Sequence, residues 1–366
     1  MQRDSNKAKF LLPLGIFVLM WYIAFRLHVH FGVVSFWVYQ IAVAIAVIVP
    51  PVLFGITVNF LNSFVRMLNI FGGYLLIFIA YSAISLGILH IVLLMWDASL
   101  FMSGIAALTV AFIITLIGAV LGNIFIVRET KIKIPKLENE LTIMQISDAH
   151  IGLIYGRKYL SKIIESTNKN APDIVIITGD LTESKGALKE GALDSLAKLN
   201  APAFFVEGNH DNYTGIENVL KIIGEQNIRI LRNEIIETHG IQLIGLDYLK
   251  ADDETYDMFA PDSTSTVKSV LSEMSIKHGM PTVLISHCPA GVKYAADAGV
   301  DLMVSGHTHK GQIFPFSILA KLTFPFFAGL YQHENMQVFV SSGVGGIIAR
   351  MRLGSLNEIN LLKLTP

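Results

Sequence analysis

Residues 173–180 read DIVIITGD, a run of apolar residues that ends in a glycine and an aspartate. Residues 203–211, AFFVEGNHD, repeat this plan with different polar residues at the end. A short apolar run rich in β-branched residues and closed by a glycine is typical of a buried strand that turns sharply. The two stretches therefore predict a buried sheet with polar side chains gathered at one edge.

Three further stretches follow the same plan. Leu141–Ile146 is followed by SDAH, Thr282–Ile285 by SH, and Asp301–Val304 by SGHTH. In open α/β sheets, ligands bind at the edge formed by the carboxyl ends of the strands. We therefore expect the Asp, Asn and His side chains of these five stretches to meet at that edge.

These side chains offer imidazole nitrogen and carboxylate or amide oxygen, without a thiolate. Such ligands suit divalent transition metals, and this many of them exceed what one ion needs. The pattern therefore predicts a two-metal site of the kind used for displacement at phosphorus. The donor types admit manganese, iron, zinc and cobalt, and Mn²⁺ is our first choice.

The first third of the chain has a different composition. Only three residues between Phe10 and Val127 carry a formal charge. Four apolar stretches are each near the length of roughly 20 residues that is needed to cross a bilayer core. They are Phe10–Phe25, Val33–Asn59, Asn69–Met95 and Leu100–Ile126. The sequence thus predicts a tail over 1–9, four transmembrane helices within 10–127, a basic linker over 128–140 and a separate domain over 141–366.

Basic residues are unevenly distributed about these spans. Arg26 stands alone on one side, whereas the side that holds both termini has Arg3, Lys7, Lys9, Arg66, Arg128, Lys131, Lys133 and Lys136. Basic residues accumulate on the cytoplasmic side of membrane proteins. We therefore expect an integral protein of a prokaryotic plasma membrane, with both termini and the C-terminal domain in the cytoplasm.

In chain order the polar stretches read D-x-H, G-D, G-N-H-D, H and G-H-x-H. This ordered set resembles the calcineurin-like metallophosphoesterases over about residues 141–364. The stretch GHTHKGQ at 306–312, with GLYQH at 329–333, is similar to a membrane-anchored branch that includes UDP-2,3-diacylglucosamine hydrolases and broader phosphodiesterases. The resemblance implies an α/β (α+β) fold of two packed mixed β-sheets flanked by helices, as the strand pattern also predicts.

The resemblance also implies a role for each motif residue. The first metal would be held by Asp148, His150 and His309, the second by Asn209, His287 and His307, and Asp180 would bridge both. A hydroxide between the metals would be the nucleophile, because bound cations lower the pKa of water toward about 7. His210 would be the catalytic acid, since imidazole titrates near neutral pH.

Two further residues are candidate substrate contacts. Arg352-Leu353-Gly354 resembles an Arg-aromatic-Gly stretch of the family, and a guanidinium matches phosphate oxygens well. The Pro-Glu pair that often follows is missing, so a surface arginine is the alternative for Arg352. His333 is the second candidate, because it lies in the family-like GLYQH stretch.

Residues 313–330 follow the last ligand motif and contain five phenylalanines. Two interpretations are open: a buried flap over the sheet, or a loop that contacts the membrane or an acyl chain. A transmembrane region in the same chain favours the second interpretation.

The sequence therefore predicts an integral membrane phosphohydrolase whose metal-bound hydroxide attacks a phosphodiester or pyrophosphate. A lipid or lipid-linked nucleotide is the preferred substrate class. A phosphodiesterase of soluble nucleotides is the alternative, and a non-catalytic membrane receptor or scaffold is a third hypothesis. No strongly basic stripe is apparent, so we expect no nucleic-acid partner.

Overall fold

The computed structural model describes residues 2–57, 62–96, 98–189, 191–255 and 263–366. The chain divides into a helical unit that ends at Val120 and an α/β unit that begins at Leu121. The helical unit is built from α1 (Gln2–Phe31), α2 (Phe36–Thr57), α3 (Ser63–Leu93) and α4 (Leu100–Gly122).

Helices α2, α3 and α4 are each long and apolar enough to cross a membrane, and α1 adds a shorter apolar segment at Gly15–Phe31. Most of their large apolar side chains are exposed, which suits a surface that faces lipid. All four predicted apolar stretches therefore form helices, and within the described residues three of these helices are both long and apolar enough to span. The predicted second stretch runs on to Asn59, which lies outside the described residues. These helices indicate a membrane protein.

The first sheet of the α/β unit has six strands. Its members are β1 (Phe125–Lys133), β2 (Leu141–Ile146), β3 (Ile174–Thr178), β4 (Ala203–Val206), β5 (Arg229–Ile230) and β12 (Asn357–Thr365). Their spatial order is β1-β12-β2-β3-β4-β5. The strands β2 to β5 run parallel, and β12 is antiparallel to β2.

The second sheet also has six strands. They are β6 (Glu234–Thr238), β7 (Ile241–Gly245), β8 (Thr282–Ile285), β9 (Leu302–Ser305), β10 (Gly329–His333) and β11 (Met336–Val340). Their spatial order is β10-β11-β9-β8-β7-β6. The four inner strands are parallel and both edge strands are antiparallel to their neighbours. The two apolar runs on either side of His239-Gly240 predict a hairpin, and this turn joins β6 and β7. Both turn residues have positive φ, as a type I′ hairpin turn requires.

Six helices connect these strands: α5 (Arg157–Lys169), α6 (Lys185–Lys189), α7 (Asn209–Gly224), α8 (Val267–Glu273), α9 (Val292–Asp297) and α10 (Phe316–Thr323). Ile143 and Ile176 of the first sheet pack against Ile285 of the second in one fully buried core. Val267 of α8 and Val292 of α9 are buried in a second core on the other face of the second sheet. The prediction of two packed mixed sheets with flanking helices is confirmed.

Several predicted segments differ from the structure. Residues 2–9 of the expected N-terminal tail belong to α1, and the fourth span, expected to reach Ile126, ends at Gly122. The first half of the expected linker over 128–140 belongs to β1, which pairs in parallel with β12 from Phe125↔Asn357 to Lys133↔Thr365. The charged composition was misleading because an edge strand keeps one side in water and is commonly charged. The sequence over 187–199 predicts a single helix, whereas the structure has α6 and a 3-10 turn at Asp194–Lys198.

Candidate metal centre

The seven predicted ligands come together where β2, β3, β4, β8 and β9 end. Among the described residues, three groups of His, Asp or Glu have ligand atoms within 4.8 Å of one another. Their members are Asp148, His150 and His309; His150, Asp180 and His210; and Asp180, His287 and His307. Asp180 belongs to two of these groups, so the ligand atoms form one continuous cluster.

The first part of the cluster surrounds His150. Its Nε2 atom lies 3.1 Å from Nε2 of His309 and 3.7 Å from Oδ2 of Asp180. Nε2 of His309 is also 3.5 Å from Oδ1 of Asp148. All four side chains are buried. Two imidazole nitrogens and two carboxylate oxygens therefore surround a space the size of a single ion.

The second part surrounds His287. Its Nε2 atom lies 3.1 Å from Oδ1 of Asn209, 3.2 Å from Oδ2 of Asp180 and 3.1 Å from Nδ1 of His307. The Nδ1 atom of the same ring lies 2.8 Å from the carbonyl oxygen of Thr178. A carbonyl only accepts, so Nδ1 carries a hydrogen, and in the neutral ring Nε2 presents a lone pair to its neighbours.

Lone pairs that face one another require a proton or a cation between them. Burial disfavours the charged form of His287, but the carboxylates of Asp180 and Asp148 raise the pKa of His287 to about 9. A divalent cation would take the place of that proton, because metal binding needs neutral imidazoles and ionised carboxylates. Burial and the neighbouring His287 already lower the pKa of His307 to about 3. The donor set therefore fits metal ions.

The backbone at these ligands is strained. Five of the seven have positive φ, between 46° and 72°: Asp148, His150, Asp180, His307 and His309. Such conformations cost residues other than glycine about 1–3 kcal/mol each and persist only where the surroundings hold them. Gly208 and Gly306 allow the close approach, since a Cβ on either would lie within 2.3 Å of a side-chain oxygen of Asp180 or Ser147. The loops are thus built around the ligand positions at a cost in stability.

Asp211 fixes two of the ligand loops to each other. Its carboxylate accepts hydrogen bonds from the backbone of Leu181, Thr182 and Gly208 at 2.8–3.3 Å. The loop after β3 and the start of α7 are thereby tied together around Asp180 and Asn209. The sequence allows Asp211 either a turn or capping role or the orientation of a site histidine. The bond from the backbone N–H of Gly208 gives it the first role, as the N3 residue of the capping box of α7.

Glu183 was not identified from the sequence. Its Oε2 atom lies 2.6 Å from Nδ1 of His150 and 3.0 Å from Nδ1 of His210. A carboxylate accepts, so both Nδ1 atoms donate and the Nε2 atom of His150 is free to face the cluster. The only signal in the sequence is an acidic residue three positions after Asp180. Glu183 therefore orients both a candidate ligand and the candidate acid.

His210 lies at the surface of the cluster. The side chain of His210 is 24% exposed, and its backbone N–H donates to Oδ1 of Asp180 at 2.8 Å. Burial lowers the pKa of His210, but the hydrogen bond to Glu183 and the charge of Asp180 outweigh it and raise the pKa to about 9. The hydrogen bond to Glu183 thus favours the protonated ring, which is the form that a proton donor needs.

The two candidate substrate contacts are placed differently from the expectation. Arg352 is fully buried, and its guanidinium donates to backbone carbonyls of His309, Ser342, Gly343 and Gly345 and to the side chains of Asn357 and Ser355. Its donors are therefore taken up by the protein instead of facing a substrate. His333 packs edge-on against Phe326 and does not belong to the described lining of the pocket beside the cluster.

This pocket has a volume of about 220 Å³. Its lining combines Asp180, Asn209, His210, His307 and His309 with Thr308, Gly311, Gln312, Phe324 and Ile347.

Helix α10 starts four residues after Gln312 and contains no buried residue. Leu319 and Leu322 are 65% and 80% exposed. In contrast, Phe326 packs against Tyr331 and the core of the second sheet, so the open apolar surface is on the helix.

Comparisons with known proteins identify the family of this chain. Residues 141–311 match the family model for the calcineurin-like phosphoesterases. An uncharacterized metallophosphoesterase of Aquifex aeolicus is 30% identical over 233 residues, which cover 62% of this chain and 85% of that protein. The chain therefore belongs to the calcineurin-like metallophosphoesterases.

Two further relatives are longer than the matched region. An uncharacterized metallophosphoesterase of Helicobacter pylori is 36% identical over 245 residues, 66% of this chain and 64% of that protein. A transmembrane protein with metallophosphoesterase domain of Bos taurus is 35% identical over 246 residues, 63% of this chain and 54% of that protein. The chain thus spans somewhat more than half the length of these two relatives.

Proposed function

We propose that the protein is a membrane-anchored hydrolase that uses two divalent metal ions to cleave a phosphodiester or pyrophosphate. The observation that carries this proposal is the cluster in which two sets of ligand atoms, all but His307 buried, share Asp180. Asp148, His150 and His309 would hold one ion, and Asn209, His287 and His307 the other. With both ions bound, the centre would activate a water molecule and polarise the phosphoryl group. Mn²⁺ is the preferred metal, with iron, zinc and cobalt as alternatives.

His210 would supply the proton that the leaving oxygen requires. It lines the pocket, keeps part of its surface open and is held by Glu183. With Nδ1 turned to Glu183, Nε2 is the atom that remains for a substrate. A proton donor in this position assists most when the leaving group is a poor one.

A lipid or lipid-linked nucleotide is the proposed substrate class. The phosphate would enter the pocket, whose wall includes Phe324 and Ile347. Acyl chains would lie against the exposed leucines of α10, which form an apolar patch of the kind that marks lipid contacts. A phosphodiesterase of soluble nucleotides remains the second candidate, because the pocket itself is polar enough for a nucleotide phosphate.

The substrate class can be tested on α10. Replacing Leu319 and Leu322 by Ser should raise the KM for a diacyl phosphodiester presented in vesicles, with little effect on a small soluble diester, because only the lipid gains from apolar area. A matched variant with Met at both positions keeps that area and should behave like the wild type. If both substrates respond equally to the serine variant, the leucines have no role in lipid binding.

Location and partners are part of the proposal. The eight-to-one distribution of basic residues favours a prokaryotic plasma membrane protein with both termini and the α/β unit in the cytoplasm. A phosphate-ester substrate and the membrane are the proposed partners, and no nucleic acid is expected. A non-catalytic receptor or scaffold is disfavoured, because every ligand position and the acid position hold a residue suited to catalysis.

A further inference from the structure

The helical unit contains a buried arginine with unusual partners. Arg26 is 5% exposed and lies on α1, five residues before this helix ends. Its Nη1 atom donates to Nδ1 of His90 on α3 at 2.7 Å, and its Nη2 atom donates to Nε2 of His30 at 3.0 Å. Its Nε atom is buried and has no hydrogen-bond partner among the described residues.

Among the described residues, the hydrogen-bond partners given for the guanidinium of Arg26 include no carboxylate. A guanidinium stays protonated in proteins, and both of its partners are imidazoles. Between Phe10 and Val127 the sequence has a single acidic residue, Asp97, which lies outside the described residues. A charged group within membrane-spanning segments is costly, and such groups commonly mark binding sites. Arg26 is therefore a cation that attracts an anion.

Both histidines are hydrogen-bonded to Arg26, but only His90 is exposed. Nδ1 of His30 faces the carbonyl oxygen of Leu100 at 2.7 Å, so this atom carries the hydrogen and Nε2 accepts from Arg26. By the same reasoning Nδ1 of His90 accepts from Arg26, which leaves the hydrogen of His90 on Nε2. His90 is exposed, whereas Arg26 and His30 are buried. This group of three side chains thus presents the Nε2–H of His90 at its surface. The guanidinium of Arg26 polarises this hydrogen-bond donor.

The surface around His90 is suited to a lipid. His90 lies three residues before α3 ends, or about one turn of helix from that end. Ile91 and Leu94 beside it are 62% and 74% exposed, and Trp96 is 76% exposed. Tryptophan is enriched at the level of the lipid headgroups. An anion at His90 would therefore have apolar side chains next to it.

We propose that Arg26 and His90 form a binding site for the phosphate group of an anionic phospholipid. The phosphate would accept the hydrogen of His90 Nε2 and offset the charge of Arg26, while the acyl chains lie on the apolar surface of α3. The site belongs to the helical unit and is separate from the metal centre. It gives this unit a function in lipid recognition besides anchoring.

The test uses the full-length chain in detergent, with native mass spectrometry of lipid adducts. Wild-type protein should retain about one phosphatidylglycerol and much less phosphatidylcholine. Arg26→Gln and His90→Phe should each weaken phosphatidylglycerol retention about tenfold, the scale of one charge-assisted hydrogen bond. His90→Gln keeps an N–H donor and should restore part of the binding. Arg66→Gln removes a charge from the other end of α3 and serves as the matched control.

Three outcomes would overturn the proposal. Equal retention of both lipids would show that the site does not select a charge. An equal loss in Arg66→Gln would indicate a general effect of net charge. Displacement of the phosphatidylglycerol adduct by inorganic phosphate at millimolar concentration would assign the site to a soluble anion instead of a lipid. Monodispersity of His90→Phe in size-exclusion chromatography separates a binding defect from a folding defect.

Discussion

Oε2 of Glu183 lies 3.0 Å from Nδ1 of His210, and the same oxygen lies 2.6 Å from Nδ1 of His150. One carboxylate thus holds a candidate metal ligand and the candidate acid in fixed orientations. The pKa of Glu183 lies below its usual range, because the two histidines outweigh the effect of burial. Glu183 is therefore ionised at neutral pH and able to stabilise an imidazolium at His210.

Changing Glu183 to Gln should move the alkaline limb of the activity profile to lower pH. The pKa of His210 is about 9, since Glu183 and Asp180 outweigh burial. The acid is active when protonated, so its contribution is present below this pKa and is lost as pH rises through it. Removing the charge of Glu183 lowers the pKa and brings the loss to lower pH. The measurement is kcat against pH for a diester with an alkyl leaving group. An unchanged limb would contradict the role of Glu183.

His210→Ala should retain the metals but lower turnover of the same alkyl diester by about 10²–10⁴-fold, the usual range for acid–base catalysis. A diester with an activated aryl leaving group should lose much less, because that group departs without a proton. Parallel assays with the two substrates make the comparison. Equal losses on both would exclude His210 as the acid, and elemental analysis of the variant checks that its metal content is intact.

Asp180→Ala should reduce metal content more than loss of any other single ligand. Its carboxylate lies within 3.7 Å of both His150 and His287, one from each part of the cluster. Without it, two cations would repel each other with no anion between them. Elemental analysis of the purified chain at metal saturation should find about two ions in the wild type and fewer than one in the variant. Asp194→Ala, at an exposed position, is the control. A wild-type chain with at most one ion would rule out the paired site.

Arg352→Lys should destabilise the α/β unit and reduce turnover of all substrates to a similar extent. The guanidinium donates to the carbonyl of His309 at 2.6 Å and to three carbonyls of the loop at 342–345. A lysine cannot reach all of these acceptors, and unpaired buried carbonyls cost about 1–3 kcal/mol each. Thermal unfolding should show a lower Tm than for Arg157→Lys, an exposed control. A raised KM with unchanged Tm would instead restore the substrate-contact role.

The sequence predicted the elements whose signal is local. β2, β4 and β8 have the expected ends, because each is an apolar run closed by polar residues. The roles of Glu183 and Arg352 depend on contacts across 27 and 43 residues, with His210 and with the backbone of His309. Every residue has a backbone carbonyl, so a sequence does not show which of these acceptors a side chain such as Arg352 will contact.

Composition also failed to separate buried from exposed apolar residues after the last ligand motif. Phe326 was a candidate for lipid contact, but it packs against Tyr331. Leu322 on α10 is 80% exposed instead. The helix and the chain that follows it have the same apolar character, and only the fold determines which of them faces outward.

Labelling of single cysteines in intact cells should place the α/β unit in the cytoplasm. In a Cys288→Ser background, which removes the only native thiol, Ser99→Cys should react with a membrane-impermeant maleimide. Ser5→Cys should react only after the cells are opened, and Asp194→Cys should behave like Ser5→Cys. The physical reason is the excess of basic residues beside the termini. Reaction of Ser5→Cys in intact cells would place the metal centre outside, where other metals and other phosphate esters are available.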